Sequence, residues 1–394
     1  MDRKIFYRLP EGVQDLYPEE CYNLNRVQYK LEEKFFRAGC YPVQSAALEY
    51  YDTYAEIRNR VPQKKMFKLT DADGSLLVLR PDMTLAAARM AATKLPDRNV
   101  KLCYFSNVWD YRLTGGLHGR EIYQAGVEFL GVSNPFSDAQ IIAFAVECLE
   151  ETGVKDFIID IGHVGFFKGL LEDCGLDGES AEKVRLSVNA KDAVETQEIL
   201  KRSGAEKKAA EAISLLPTLF GGVDVLSRAE KLTDNRTALS ALRHLKEVYS
   251  LLRSFGMEKY VSFDLGTVKD LSYYSGIVFT GLTKTVGSPV LSGGRYDTLA
   301  SDFGKDIPAV GFAMGLKRIL IALERQGNLK TIPPFDVILV AEKGAESLAY
   351  QKYQALTAEG KRVNLFCGDE ESAKTLRKEG ITILKVTKQG VQEI

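Results

Sequence analysis

Apolar side chains recur at Leu24, Val27, Leu31, Phe35 and Phe36 within residues 19–38, the spacing of one helix face, and predict an amphipathic helix there. Gly39 suits its end, and the stretch to about Glu49 reads as extended. Two short strands, KMFKLTD and SLLVLR, flank Ala72, Asp73 and Gly74, where Asp-Gly marks a hairpin turn. Pro81 then opens an Ala-rich run that suits a helix entered from a strand end. Residues 101–109 and 121–130 are strand-like and flank DYRLTGGLHGR, whose three glycines predict a long mobile hairpin. A helix is expected over 135–151 and a strand over KDFIIDIG. Residues 164–258 carry helical patterns throughout, broken by small loops at Gly175, Gly204 and Gly221-Gly222, and read as an inserted helical subdomain. Strand patterns return in KYVSFDLG, YYSGIVFTGL and PVLSGG. AVGFAMGLKRILIALERQ then reads as a strand passing into a helix around Gly311 to Gly315.

Pro333 and Pro334 mark a linker. Beyond it FDVILVAE, RVNLFCG and ITILKVT read as strands, alternating with helices in SLAYQKYQALTAEG and SAKTLRKEG, a small α/β module. Two domains are therefore expected, 1–330 with its helical insertion and 331–394, within the range allowed by about one domain per 150 residues. Hairpin-linked strands with helices gathered elsewhere argue for an α+β main domain built on a mainly antiparallel sheet rather than a doubly wound one.

The composition, 45% hydrophobic and 27% charged, excludes wholesale disorder. A net charge of −1 leaves no cation surplus for a phosphate backbone, so general nucleic-acid binding is not expected. The six cysteines show no metal-binding spacing and are expected to be reduced, mostly buried thiols; with only three histidines, no metal site is expected. No stretch approaches the ~20 apolar residues that span a bilayer, and the N-terminus lacks an apolar signal core, so a cytoplasmic location without membrane attachment is expected.

Four segments hold chemistry-bearing side chains. In Arg80-Pro81-Asp82-Met83-Thr84, Asp82 or Thr84 can simply cap a helix. In Gln124-Ala125-Gly126-Val127-Glu128 the strand period of two puts Gln124, Gly126 and Glu128 on one face, with Gly126 leaving room where a small polar ligand could lie; a solvated outer face is the plainer reading. Tyr273-Tyr274 reads as rim aromatics when taken alone. Ser292-Gly293-Gly294-Arg295-Tyr296-Asp297 and the Gly311–Gly315 run precede a helix carrying Arg318, a weak phosphate-site signal.

The order of these segments over residues 5–325 resembles the catalytic domain of histidyl-tRNA synthetase, a class II synthetase fold, and LPEGVQDLYPEE resembles that family's opening. Two departures follow from this likeness. Where the synthetase has an arginine in its Phe-Arg-x-Glu-Arg pattern, this chain has Asp110 in Val108-Trp109-Asp110-Tyr111-Arg112, an anion beside the expected phosphate. Where the synthetase has Arg-Gly-Leu-Asp-Tyr-Tyr, this chain reads Lys269-Asp270-Leu271-Ser272-Tyr273-Tyr274, losing the bidentate guanidinium. Ala46 stands at the motif 1 proline. By the same likeness Asp82 and Thr84 match groups that hold a ligand's amino group, Gln124 a nearby amide, and Glu128 and Tyr274 groups that hold the imidazole, with Tyr273 beside them. Arg112 and Arg318 are the remaining vestiges of a phosphate site.

An amino-acid pocket kept while phosphate-handling arginines are lost describes a histidine receptor without catalytic residues. The regulatory subunits of ATP phosphoribosyltransferase, synthetase-like partners of a short catalytic subunit in histidine biosynthesis, share Arg-Pro-Asp-Met-Thr, Gln-Ala-Gly-Val-Glu and Ser-Gly-Gly-Arg-Tyr-Asp. This resemblance implies a non-catalytic, cofactor-free subunit that self-dimerises, binds the short catalytic subunit and relays feedback by histidine. The rival is a histidine-activating, synthetase-like enzyme. The 60-residue tail is short for an anticodon-binding domain, and acidic residues such as Asp369, Glu370 and Glu371 supply tRNA poorly, so a reduced remnant or an interaction module is expected there.

Overall fold

The computed structural model describes residues 8–55, 62–95, 99–111, 119–268, 273–366, 369–377 and 379–394. Arg112, the tip of the expected 110–120 hairpin, Lys269 to Ser272 and Cys367 lie outside the described residues. The chain divides into two compact units, Met1–Leu329 and Lys330–Ile394.

The first unit runs α1 (Pro18–Arg37), β1 (Tyr41–Pro42), β2 (Leu48–Tyr50), α2 (Tyr51–Ala55), β3 (Lys68–Thr70), β4 (Leu76–Leu79), α3 (Met83–Thr93), β5 (Val100–Trp109), β6 (Glu121–Leu130), α4 (Pro135–Thr152) and β7 (Phe157–His163). The insertion follows as α5 (Val164–Cys174), α6 (Gly178–Asn189), α7 (Ala193–Arg202), α8 (Lys207–Leu215), β8 (Phe220–Gly221), α9 (Asp224–Glu230) and α10 (Arg236–Ser254). It is not wholly helical, because β8 joins the edge of the main sheet. β9 (Val261–Asp264), β10 (Ile277–Thr283), β11 (Val286–Arg295), β12 (Ala309–Gly315) and α11 (Leu316–Arg325) complete the unit.

Nine strands form one sheet in the order β1-β5-β6-β12-β11-β10-β7-β9-β8, antiparallel except for β1 with β5 and β7 with β9. β2, β4 and β3 form a separate small sheet. Along β6, Ala125, Val127 and Phe129 join the main core with Phe144 and Ile142 of α4, while Gln124, Gly126 and Glu128 face the other side. The core helix α1 begins at Pro18, where Tyr17 N–H donates to Glu20 Oε2 at 3.0 Å, and buries Leu24, Val27, Leu31 and Phe35. Phe36, expected on the same face, is exposed, because it lies a further 100° around the helix from Phe35.

A buried ionic cluster ties the sheet to the insertion. Asp138 of α4, completely buried, accepts from Arg295 Nε at 2.9 Å and Nη2 at 2.6 Å, and its other oxygen pairs with His244 Nε2 of α10 at 2.7 Å. His163, the N-cap of α5, accepts from Gly165 N–H at 3.0 Å and packs its ring 5.4 Å from that of His244. Burial first, then the neighbouring His244, pushes the His163 imidazole down to about 4. The unfolded imidazole takes up a proton near 6.5 while the native one does not, so stability is present above that pH and falls as pH drops from about 6.5 to about 4. His163→Asn replaces the Nδ1 acceptor with a capping oxygen and removes the titration; its denaturation midpoint is expected to lose less than wild type between those two pH values, and parallel curves would disprove the assignment.

In the second unit β13 (Val337–Ala341), α12 (Glu346–Ala358), β14 (Val363–Phe366), α13 (Glu370–Lys374), β15 (Thr382–Thr387) and β16 (Gly390–Glu393) form a four-stranded sheet in the order β14-β13-β15-β16 with two helices. The helix expected in SAKTLRKEG is shorter and begins earlier, because Asp369 caps it by accepting from Ser372 N–H at 2.7 Å. Strand β16 carries no apolar alternation and is held by pairing with β15. Among the described residues no helix is long and apolar enough to cross a membrane. Cys40, Cys103, Cys148 and Cys174 are buried free thiols and Cys21 is exposed.

Candidate functional site

A cavity of about 370 Å³ opens on the face of the sheet opposite the α4 core, at β6, β12 and β11. Asp82, Thr84, Gln124, Tyr273, Tyr274 and Arg318 all line it, although they come from positions up to 236 apart in sequence numbering (318 minus 82). Asp82 is the N-cap of α3: its Oδ1 accepts from Leu85 N–H at 2.8 Å and also from the Tyr273 hydroxyl at 3.3 Å. The capping and site readings of Asp82 are thus both satisfied by one side chain. Burial raises its carboxyl above the ordinary range, against the pull of the Leu85 and Tyr273 hydrogen bonds.

Glu128 lies behind the cavity wall rather than in it. It is 1% exposed; its Oε1 accepts from Thr84 Oγ1 at 2.8 Å and from the Tyr104 hydroxyl at 3.1 Å, and its Oε2 from the Tyr296 hydroxyl. Burial pushes its carboxyl up to about 8, outweighing these three donors and helped by the nearby Asp82. When Glu128 is ionised, the Thr84 and Tyr296 hydroxyls spend their protons on it and their lone pairs remain as acceptors at the cavity surface, suited to a ligand N–H. Tyr104 was not singled out by sequence, and Tyr296 stood only within the Ser292–Asp297 segment with no role of its own; the glycine opposite Tyr104 was the available signal.

The space over Gly126 is not a ligand seat, contrary to expectation. In the β5–β6 register Tyr104 pairs with Gly126, and a Cβ at that glycine would overlap the tyrosine ring. Gly311, opposite Glu128 on β12, makes room for the carboxylate itself, and Gly294 admits the Tyr274 ring, which would lie 2.7 Å from an added Cβ. Gly311→Ala would overlap the Glu128 carboxylate and press on the Val127 carbonyl oxygen at 2.6 Å. An overpacking loss of about 1–3 kcal/mol is expected in denaturant titration, with displacement of Glu128; an unchanged midpoint would show that the strands can yield.

The arginines divide by role. Arg80 is buried and structural, donating to the Ser45 and Ala46 carbonyls at 2.6 and 2.8 Å and to Ser106 Oγ at 2.6 Å. Arg295 is likewise consumed by Asp138 and by Asp297 at 2.8 Å. Arg318, in the first turn of α11, donates to the Pro289 carbonyl at 2.7 Å while lining the cavity. Asp110 lines it as well, next to Trp109. Lys65, which sequence reasoning passed over, is there too.

The histidyl-tRNA synthetase family model matches residues 12–319. The ATP phosphoribosyltransferase regulatory subunit of Acetivibrio thermocellus is 40% identical over 369 residues, 93% of this chain and 88% of that protein. The chain belongs to the family of ATP phosphoribosyltransferase regulatory subunits, a histidyl-tRNA-synthetase-like group. A solved structure from Bacillus halodurans, described as an ATP phosphoribosyltransferase regulatory subunit/histidyl-tRNA synthetase, superposes with a TM-score of 0.86 at 28% identity, covering 98% of this chain and all of that one. Histidyl-tRNA synthetase from Nostoc sp. PCC 7120, 20% identical, covers 98% of this chain and 96% of that one with a TM-score of 0.79, a likeness of fold. The class II synthetase-like fold expected from the order of motifs is therefore present.

Proposed function

We propose that this chain is a non-catalytic subunit that binds histidine in the 370 Å³ cavity, assembles with itself and with a short catalytic subunit of ATP phosphoribosyltransferase, and relays histidine inhibition to that partner. The names of its relatives support the regulatory role, and the charge of the cavity supports the ligand. Among the described residues its charged lining is Asp82, Asp110, Lys65 and Arg318, two anions and two cations. A zwitterionic amino acid matches that balance: Asp82 takes the ammonium, Lys65 and Arg318 face the carboxylate, and the acceptor lone pairs of Thr84 and Tyr296 receive imidazole N–H. A triphosphate would bring several negative charges against Asp110, where transition-state stabilisation calls for preorganised cations.

The carrying observation is that Asp82, Thr84, Gln124, Tyr273 and Tyr274 converge on one cavity that Asp110 also lines. Regulation then follows from linkage. Histidine that binds one arrangement of the hetero-oligomer more tightly shifts the catalytic subunits toward it, and a coupling of about 1–3 kcal/mol suffices for feedback. Calorimetric titration with histidine, alone and with a short catalytic subunit, should show saturable heat, and sizing of the mixture should show a histidine-sensitive complex. Absence of heat in both settings would overturn the receptor reading. Pyrophosphate exchange with ATP and histidine at enzyme-like rates would restore the synthetase alternative.

A further inference from the structure

A cavity of about 390 Å³ lies on the opposite face of the sheet from the first one, enclosed by the N-terminal segment over 12–16, α1, the end of β5, the start of β6, and α11. Its volume is close to that of the first cavity and within the range of small-molecule sites. The strand period of two divides β6 between them: Glu121 and Tyr123 line this cavity, Ile122 and Gln124 the first. At the start of α11 the neighbours Lys317 and Arg318 divide in the same way.

Several polar side chains of its wall are already engaged. The Tyr123 hydroxyl donates to Gln28 Oε1 at 2.8 Å, Gln28 Nε2 donates to Glu32 Oε1 at 2.7 Å, and Glu121 Oε1 accepts from Asn107 Nδ2 at 2.6 Å. Lys317 differs: among the described residues its ammonium makes no hydrogen bond and no ion pair, although the side chain is half-buried. Burial lowers its pKa from the ordinary lysine value, against the weaker pull of Glu20, whose own Oε2 is taken by the Tyr17 N–H. An ammonium drawn out of water without a partner is costly, and an anion beside it relieves that cost. The rest of the wall includes the apolar Leu16, Leu24 and Leu320, of which Leu16 is 38% exposed and presents hydrocarbon to solvent until something covers it. A polyanion would bring its further charges against Glu121, a cation would meet Lys317, and a plain hydrocarbon would leave the ammonium unpaired. A single carboxylate on a short hydrocarbon satisfies both features.

We propose that this cavity binds a short branched aliphatic carboxylate, which accepts from Lys317 Nζ and packs its hydrocarbon against Leu16, Leu24 and Leu320. The ligand is a free acid or an α-amino acid; in the second case its ammonium has Glu121 to pair with. Because β6 and α11 each carry residues of both cavities, this ligand and the occupant of the first site bear on the same two elements from opposite faces.

The test uses the full chain and ligand-observed saturation-transfer NMR, with 4-methylpentanoate and leucine as probes, 4-methylpentanamide as the uncharged control and acetate as the control without the branched hydrocarbon. Saturable binding of 4-methylpentanoate is expected, with the amide and acetate each about tenfold or more weaker. Leucine binding more tightly than 4-methylpentanoate identifies an amino-acid source, and equal or weaker binding a free acid; either supports the carboxylate site. Lys317→Met should weaken 4-methylpentanoate about tenfold or more while melting at or above the wild-type temperature, since it removes an unpaired ammonium and keeps an apolar stem. Lys317→Arg, which keeps the cation, should bind the probe more tightly than Lys317→Met does. No saturable signal from either probe at millimolar concentration overturns the proposal. So does an amide or acetate that binds as well as 4-methylpentanoate, or a Lys317→Met variant with unchanged affinity. Histidine calorimetry on the same samples reads the first cavity separately.

Discussion

Above about pH 8, where Glu128 is ionised, Glu128→Gln is expected to weaken histidine binding and at the same time to stabilise the protein relative to wild type. Ionised, Glu128 accepts three hydroxyl hydrogen bonds and so fixes the Thr84 and Tyr296 oxygens as acceptors toward the cavity. The glutamine amide presents N–H in place of one carboxylate oxygen and turns at least one of these hydroxyls around, so a ligand N–H meets a donor. A loss of at least about tenfold in affinity follows, roughly 1.4 kcal/mol. The stability effect has a definite sign. The Glu128 carboxyl, pushed up to about 8 from an ordinary 4.5, keeps its proton in the native state where the unfolded chain has lost it. Its contribution is present below about pH 4.5 and is lost as pH rises through about 8. Glutamine has no such loss, so the melting difference, variant minus wild type, should grow between those limits. A flat difference, or unchanged histidine heat above about pH 8, would refute this account of Glu128.

The largest stability loss is expected at Asp138→Asn. Asp138 is fully enclosed between Arg295 and His244, and the change leaves the buried guanidinium with Asp297, whose side chain is 30% exposed, as its remaining carboxylate partner. Breaking one side of a buried pair costs about 3–5 kcal/mol, and the retained Asp297 contact places the expectation near 3. Arg295 directly precedes Tyr296 on the chain, so histidine affinity should fall together with stability, although Asp138 touches no ligand. Urea titration and calorimetry on the same variant check both. A loss under about 1 kcal/mol would mean that the network is replaceable.

The sequence by itself determined what depends on local periodicity and turn chemistry. The α1 span, the Asp73-Gly74 turn between β3 and β4, the limits of β5 and β6, and the shared face of Gln124, Gly126 and Glu128 follow from repeat lengths of 3.6 and 2 and from glycine placement. The linker at Pro333-Pro334 coincides with the start of the second unit to within a few residues. The order of motifs was also readable, which sufficed for the family. Tertiary structure alone decided what fills the gaps those glycines leave: Tyr104 over Gly126 and Glu128 against Gly311 are set by the registers of β5–β6 and β6–β12. It likewise placed Glu128 behind Tyr296 and gathered Asp138, Arg295 and His244 from three elements. Periodicity fixes which face a side chain takes; only the pairing of strands distant in the chain fixes which atoms stand opposite it.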